Sequence, residues 1–171
     1  YAEFDAETCR LASALREMGL GKGDVVGIYM PNLPETFIAF FAILKIGAIV
    51  MPLFSGFGPQ PLITRLQDGG ARAVITADGT WRRGSVGAMK PVLDEALAQV
   101  PSVEHVVVVQ RLGDKLPVAM QAGRDHWWHE RVTPQPATLA TEPMDADAAA
   151  EDLAHRQGDD LMESDRDLGR R

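Results

Sequence analysis

The stretch KGDVVGIYMPNLPETFIAFFAILKIGAIVMPLFSGF, residues Lys22–Phe57, decides the fold. Val25–Met30 is a short apolar run rich in β-formers and without polar alternation, the pattern of a strand buried on both faces. Pro31-Asn32-Leu33-Pro34 follows as a loop. Asn32 is the predicted helix cap, and Pro34 suits the first helical turn, where a missing N–H costs nothing. The helix is predicted to run to about Ile46 and to stop at Gly47, because glycine readily takes the left-handed conformation that ends helices. Ile49–Leu53 is a second strand, and Phe54-Ser55-Gly56-Phe57-Gly58-Pro59 is a loop. Strand, helix and strand joined by short turns make a right-handed βαβ unit with a parallel sheet.

The same alternation extends in both directions. Upstream, Phe4, Leu11, Leu15 and Met18 fall at helical spacing and Gly19 closes that helix, with Gly21-Lys22-Gly23-Asp24 as the turn into the first strand. Downstream, a helix is predicted over about Pro61–Asp68, closing on Gly69-Gly70, followed by a strand at Ala73–Thr76. Ala77-Asp78-Gly79 is a turn, Lys90–Val100 a helix with Pro91 in its first turn, and His105–Gln110 a strand made almost wholly of valine. The predicted class over residues 1–112 is α/β, a partial, mostly parallel sheet with helices on both faces. Residues 113–144 read as an irregular extension and linker. Within them Arg124–Val132 is predicted to form a helical turn or two, and Thr133–Thr141 is rich in Pro, Thr and Ala. In residues 145–171 the only large apolar residues are Met162 and three leucines, so the segment cannot bury enough surface to offset its ordering entropy and is predicted to be a disordered tail.

Composition narrows the function classes. The chain has 171 residues, 46% of them hydrophobic and 24% charged, within the range of soluble globular domains. The lone Cys9 excludes an internal disulfide, fits a reducing cytoplasm and reads as a small hydrophobe beside the first helix's apolar stripe. The apolar run Phe37–Leu44 ends at Lys45 and is too short for a membrane span, which needs about 20 residues. Net charge is −7, but residues 145–171 hold nine of the acids against four arginines, so the acidity belongs to the tail. No clustered basic surface marks a nucleic-acid partner. The chain opens on Tyr1 rather than Met at the approach to a helix, which implies residues upstream.

Several residues invite chemistry but read first as structure. His126-x-x-His129 has the spacing of two ligands on one helix turn. No third ligand is apparent, so the expectation is no metal, with Trp127-Trp128 as a packing anchor. Asp78-Gly79 is turn chemistry. Asp94 and Glu95 are helix neighbours that point apart and cannot share a proton. No G-x-G-x-x-G follows a strand, which weakens a generic dinucleotide-binding reading. The Gly-rich turns at Gly19–Lys22 and Phe54–Gly58 lack the residues of a phosphate loop.

YMPNLPE followed by an apolar helix, LKIGAI and the MPLFSGF turn resemble the N-terminal portion of the AMP-forming acyl-CoA synthetases. ITADGTWRRG, LDEALAQVPSVEHVVVV and AGRDHWWHE narrow the resemblance to enzymes similar to acetyl-CoA synthetase, over roughly Tyr1 to Ala146. It implies the adenylate-forming fold and a two-step reaction. A carboxylate such as acetate attacks the α-phosphate of Mg-ATP, giving an acyl-adenylate and pyrophosphate, and the CoA thiol then displaces AMP. The family's Thr/Ser/Gly-rich phosphate loop follows the sequence PMDA, here Pro143-Met144-Asp145-Ala146, but this chain departs at about Ala148 and continues AAAEDLAHRQGDD. A shifted reading frame would produce such a tail. With that loop missing, no residue here is expected to be catalytic, and the chain alone is expected to be inactive. What the resemblance does carry over is a CoA foothold. Trp81, Arg82 and Arg83 stand where the family's arginines meet CoA phosphate, and Phe54, Ser55 and Gly56 where a turn lies near its adenine. The competing expectation is a non-catalytic CoA-binding or interaction module. Because the helix from Pro34 is apolar nearly all round, an exposed apolar patch and self-association are also expected.

Overall fold

In the computed structural model, which describes residues 1–82 and 84–144, helix α1 spans Ala2–Glu17, strand β1 Val25–Tyr29, α2 Pro34–Lys45, β2 Ile49–Leu53, α3 Pro59–Asp68 and β3 Ala73–Ala77. A short pair, β4 (Gly79–Arg82) and β5 (Ser85–Ala88), precedes α4 (Lys90–Leu97) and β6 (His105–Val109). A single 3-10 turn at Gly113–Lys115, then β7 (Asp125–Trp127) and α5 (Trp128–Arg131), complete the set. Arg83 and the acidic segment 145–171, predicted to be disordered, lie outside the described residues.

The main sheet has five strands in the order β2-β1-β3-β6-β7, all parallel. The connection from β1 to β2 moves one way across the sheet, whereas those from β2 to β3 and from β3 to β6 move the other way. Right-handed crossovers therefore put α2 on one face and α3 and α4 on the opposite face. The contacts agree: α1 packs on α2, and α3 on α4. Residues of β1, β3 and β6 are almost wholly buried, as strands covered on both sides must be. β2, at the sheet edge, is only half covered and exposes Pro52, whose missing N–H suits an edge.

Helix ends follow the local chemistry. Gly19 (φ +80°) and Gly47 (φ +74°) occupy the left-handed region just past α1 and α2. The following N–H in each case turns back into the helix, Leu20 to the Leu15 carbonyl and Ala48 to the Ile43 carbonyl. At the start of α2 the cap is Leu33, not Asn32. The Thr36 hydroxyl accepts the Leu33 N–H and donates to the Pro31 carbonyl, so the entry to the helix is closed by Thr36 rather than by Asn32.

Two helix boundaries are corrected and two strand elements are added. α3 begins at Pro59 rather than Pro61, and α4 ends at Leu97 rather than Val100. Gly79–Ala88 forms an antiparallel hairpin, with Trp81 opposite Val86 and Arg82 opposite Ser85. These four-residue strands carry no apolar stripe, so periodicity did not announce the hairpin. Within Arg124–Val132 the expected helical turn is α5, but an unforeseen strand precedes it: β7 pairs with β6, Val108 opposite Trp127. β7 is three residues long and owes its conformation to its neighbour.

Residues 133–144 contain no helix or strand and run back across α1 and α2. The Arg10 guanidinium donates to the carbonyls of Thr133 and Gln135, Arg16 pairs with Glu142 at 2.6 Å, and the Glu142 N–H meets the Lys45 carbonyl. No described helix is long and apolar enough to cross a membrane.

Candidate functional site

In a parallel α/β sheet the loops at the carboxyl ends of the strands are free to diverge. The crevice opens where successive connections leave for opposite faces. Here that point lies between β1 and β3. The β1 end leads to α2 on one face, and the β3 end leads by way of the hairpin to α4 on the other. The Thr76 hydroxyl donates to the Tyr29 carbonyl at 2.8 Å and closes the sheet just beneath the crevice.

The turn Phe54-Ser55-Gly56-Phe57 leaves β2 on one flank. The Tyr29 hydroxyl donates to the Phe57 carbonyl at 2.9 Å, which pins the turn to the end of β1. Burial pushes the Tyr29 pKa up, so the hydroxyl remains a donor. Phe54 is 61% exposed, its ring edge-on to Phe57 at 5.6 Å and folded over Gly56, where a Cβ would meet the ring at 2.5 Å. The Arg65 guanidinium covers the Phe57 ring at 5.2 Å. Ser55 is half-buried in this turn.

The other flank is the hairpin after β3. Trp81 stands 48% exposed on it, with the Lys115 ammonium 5.2 Å from the ring centroid. Arg82 ends β4; Arg83 is not among the described residues. The structure thus brings Trp81 and Arg82 together on one strand, and Phe54, Ser55 and Gly56 together in one turn. The two groups leave strands separated by β1 alone, which puts their starting points about 10 Å apart across the crevice.

Asp78, read from sequence as a turn former, is 1% exposed and its carboxylate accepts four backbone N–H groups, from Gly79, Arg111, Leu112 and Gly113. No periodicity signals such a role. Only the meeting of two loops reveals it.

A second polar centre was also missed. Lys90 is fully buried, and its ammonium meets Asp94 and Asp125, each at 2.7 Å, and the Ala119 carbonyl at 3.1 Å. Arg124 bridges the same two carboxylates at 2.6 Å. Burial raises the Asp125 pKa, but hydrogen bonds from Arg124, Lys90 and the Gln121 N–H outweigh it and hold the carboxyl below its ordinary value. The Arg124 pKa is raised by its hydrogen bond to Asp125, against burial. This network of two cations and two anions borders an open cleft of about 610 Å³, lined on its apolar side by Leu97, Val103 and Met120. It lies toward the amino ends of β6 and β7, away from the crevice. Every charge in it has an internal partner, and it ties α4 to β7.

His126 and His129 do not share a helix face. His126 lies in β7, 3.4 Å from His105 of the neighbouring strand, whereas the His129 ring stacks on Trp127 at 6.0 Å. Among the described residues, no group of three or more His, Cys, Asp or Glu is placed to hold a metal. Cys9 is buried in α1.

The family described as AMP-binding enzyme matches residues 1–155. The acetyl-coenzyme A synthetase of Streptomyces coelicolor is 49% identical over 147 residues, 86% of this chain and 22% of that protein. Its counterpart in Rhodopirellula baltica is 45% identical over 147 residues, with the same coverage of both. The chain therefore spans 22% of the length of these relatives. Among solved structures, the acetoacetyl-CoA synthetase from Streptomyces lividans superposes with a TM-score of 0.76 at 24% identity, over 85% of this chain and 22% of that one, and shares its fold.

Proposed function

Because the chain belongs to the AMP-binding enzyme family, we propose that it supplies the CoA side of an AMP-forming acyl-CoA ligase acting on acetate or another short carboxylate. The observation that carries this reading is the pairing of two projections across one crevice, the Phe54–Gly56 turn and the Trp81–Arg82 hairpin. An exposed aromatic turn offers a face to a purine. Arg82 and Arg83, adjacent in sequence, are guanidiniums of the kind that gives rigid donors to a phosphate. CoA carries both groups at one end, an adenine and a 3′-phosphate, and the strands from which the two projections start are about 10 Å apart.

In the complete reaction a carboxylate oxygen attacks the α-phosphorus of Mg-ATP and pyrophosphate departs. The CoA thiol then attacks the acyl carbon and AMP leaves with its electron pair. The first step needs donors around the developing phosphate charge, usually the largest catalytic contribution. The sequence has no Gly-rich phosphate loop with its lysine, so the chain alone is inactive in adenylate formation. Acetate-dependent ATP–pyrophosphate exchange tests this directly, and robust exchange by the purified 171-residue chain overturns it.

The CoA reading has its own test. Calorimetry is expected to show CoA binding more tightly than dephospho-CoA, with the preference abolished in Arg82→Ala/Arg83→Ala. A second reading, a non-catalytic CoA-binding or interaction module, is favoured by the same missing loop. Retained CoA binding without exchange fits both readings. They separate when the downstream sequence of the gene, read in all frames, either contains a phosphate loop or lacks one.

A further inference from the structure

Pairing between β1 and β2 ends at Tyr29 opposite Leu53, and the chain then leaves β2 as a turn. The Phe57 N–H donates to the Phe54 carbonyl at 2.9 Å, which closes residues 54–57 into a single β-turn. Among the described residues, one side chain is hydrogen-bonded to this turn. It is the Tyr29 hydroxyl, donating to the Phe57 carbonyl at 2.9 Å. Tyr29 is itself 2% exposed, and its own carbonyl accepts the Thr76 hydroxyl of β3. A turn at the surface is thus tied to two buried strands through one phenol.

The two rings of the turn are not equivalent. Phe57 is half-buried, and the Arg65 guanidinium lies over its face, 5.2 Å from the centroid. Phe54 is 61% exposed, edge-on to Phe57 and folded over Gly56, where a Cβ would come within 2.5 Å of the Phe54 ring. Gly56 beneath it and Phe57 beside it set the direction of the Phe54 ring and leave one face in solvent. A ring already held in one orientation stacks on a flat ligand at less entropic cost than a ring free to turn.

We propose that Tyr29 is a positioning residue for the adenine of CoA: through the Phe57 carbonyl it holds the turn so that Phe54, folded over Gly56, presents its open face to the purine. This rests on the CoA reading above and adds to it the buried group that orients the stacking ring. Tyr29 touches no ligand and acts only through Phe57 and Phe54.

A double-mutant cycle on the 171-residue chain, read by calorimetric titration with CoA, tests this. Tyr29→Phe keeps the buried ring and removes only the hydroxyl. It is expected to weaken CoA binding roughly 5-fold, comparable to the loss of one hydrogen bond. Phe54→Ala removes the stacking face and is expected to weaken binding on the order of 10-fold. Adding Tyr29→Phe to Phe54→Ala is expected to cost nothing more, because Tyr29 acts through that ring. An equal loss in both backgrounds overturns the positioning role, and so does a folded Tyr29→Phe that binds CoA as tightly as the unsubstituted chain. Gly56→Ala reaches the ring by another route from an exposed position, and decides the matter even where Tyr29→Phe does not fold. It is expected to push Phe54 aside and weaken CoA binding by a similar factor. Unchanged affinity in Gly56→Ala shows that the orientation of Phe54 does not matter and overturns the inference. If the unsubstituted chain binds no CoA, the CoA reading itself fails, and this inference with it.

Discussion

Asp78 and Lys90 are the two most consequential polar residues, and both are buried. For Asp78 the four N–H groups converging on one carboxylate set the energetic stake. Asn at this position keeps one accepting oxygen but turns an amide NH2 toward the other donors. A buried donor left without an acceptor costs about 1–3 kcal/mol, so Asp78→Asn is expected to lower the unfolding free energy by roughly 2–4 kcal/mol in urea titrations. Lys90 is held by two carboxylates and a carbonyl. Removing one member of a buried charge network commonly costs about 3–5 kcal/mol, and Lys90→Met is expected near the lower end because Asp94 is partly exposed. Replacing Lys90 by Met and Asp125 by Leu together leaves the Arg124–Asp94 pair neutral. The double variant is expected to be less destabilised than the sum of the two singles, as a double-mutant cycle would show.

At the scale of elements, β7 is the vulnerable strand. It has three residues, sits at the sheet edge and is held by Asp125 on one side and by His126 against His105 on the other. Burial, then the charges of His105 and Arg131, lower the His126 pKa below its ordinary 6.5, with Asp125 opposing. A histidine lowered on folding favours the native state fully above 6.5, where it is neutral in both states, and costs stability as pH falls below that. Asp125 is also lowered, below 3.8, so its contribution persists above that value and disappears as pH falls further. Stability is therefore expected to be flat above about pH 6.5 and to fall in two stages below it. Urea midpoints measured from pH 8 to 3 check this, and His126→Gln should remove the upper stage only. Loss of the upper stage in His129→Gln instead would show that the wrong histidine had been assigned.

For the whole molecule, the open question is the outer face of α2. Ile38, Ala39, Ala42 and Ile43 face the sheet, which leaves Phe37, Phe40, Phe41 and Leu44 exposed. Phe4 of α1 joins them edge-on to Phe41 at 5.7 Å, and Phe40 meets Phe41 at 5.5 Å. Four phenylalanines and a leucine form a contiguous apolar patch of a kind that monomers rarely leave in water. The chain is expected to self-associate through this face, with sedimentation velocity shifting to larger species as concentration rises. Phe40→Glu/Phe41→Glu should return it to monomer without loss of helix content. A monodisperse unsubstituted chain that binds no hydrophobic dye would mean that the patch is tolerated.

Wherever a residue's fate depends on its near neighbours along the chain, the sequence alone determined it. Val25–Tyr29, Ala73–Ala77 and His105–Val109 are strands because continuous β-branched and apolar runs suit a sheet covered on both sides. Gly19 and Gly47 end helices because no other residue enters the left-handed region so cheaply. The all-round apolar pattern of α2 likewise announced a face with no cover. Tertiary structure decided what depends on segments distant in sequence. The hairpin at Gly79–Ala88 and the strand at Asp125–Trp127 exist through pairing rather than propensity. Asp78 is an anchor as well as a turn residue because residues 111–113 return to it. Lys90, four residues from Asp94, looks like an exposed helix pair until β7 brings Asp125 and Arg124 over it and closes it from water. A carboxylate or an ammonium can be buried only when its partners arrive from elsewhere in the chain, and one-dimensional spacing does not record that arrival.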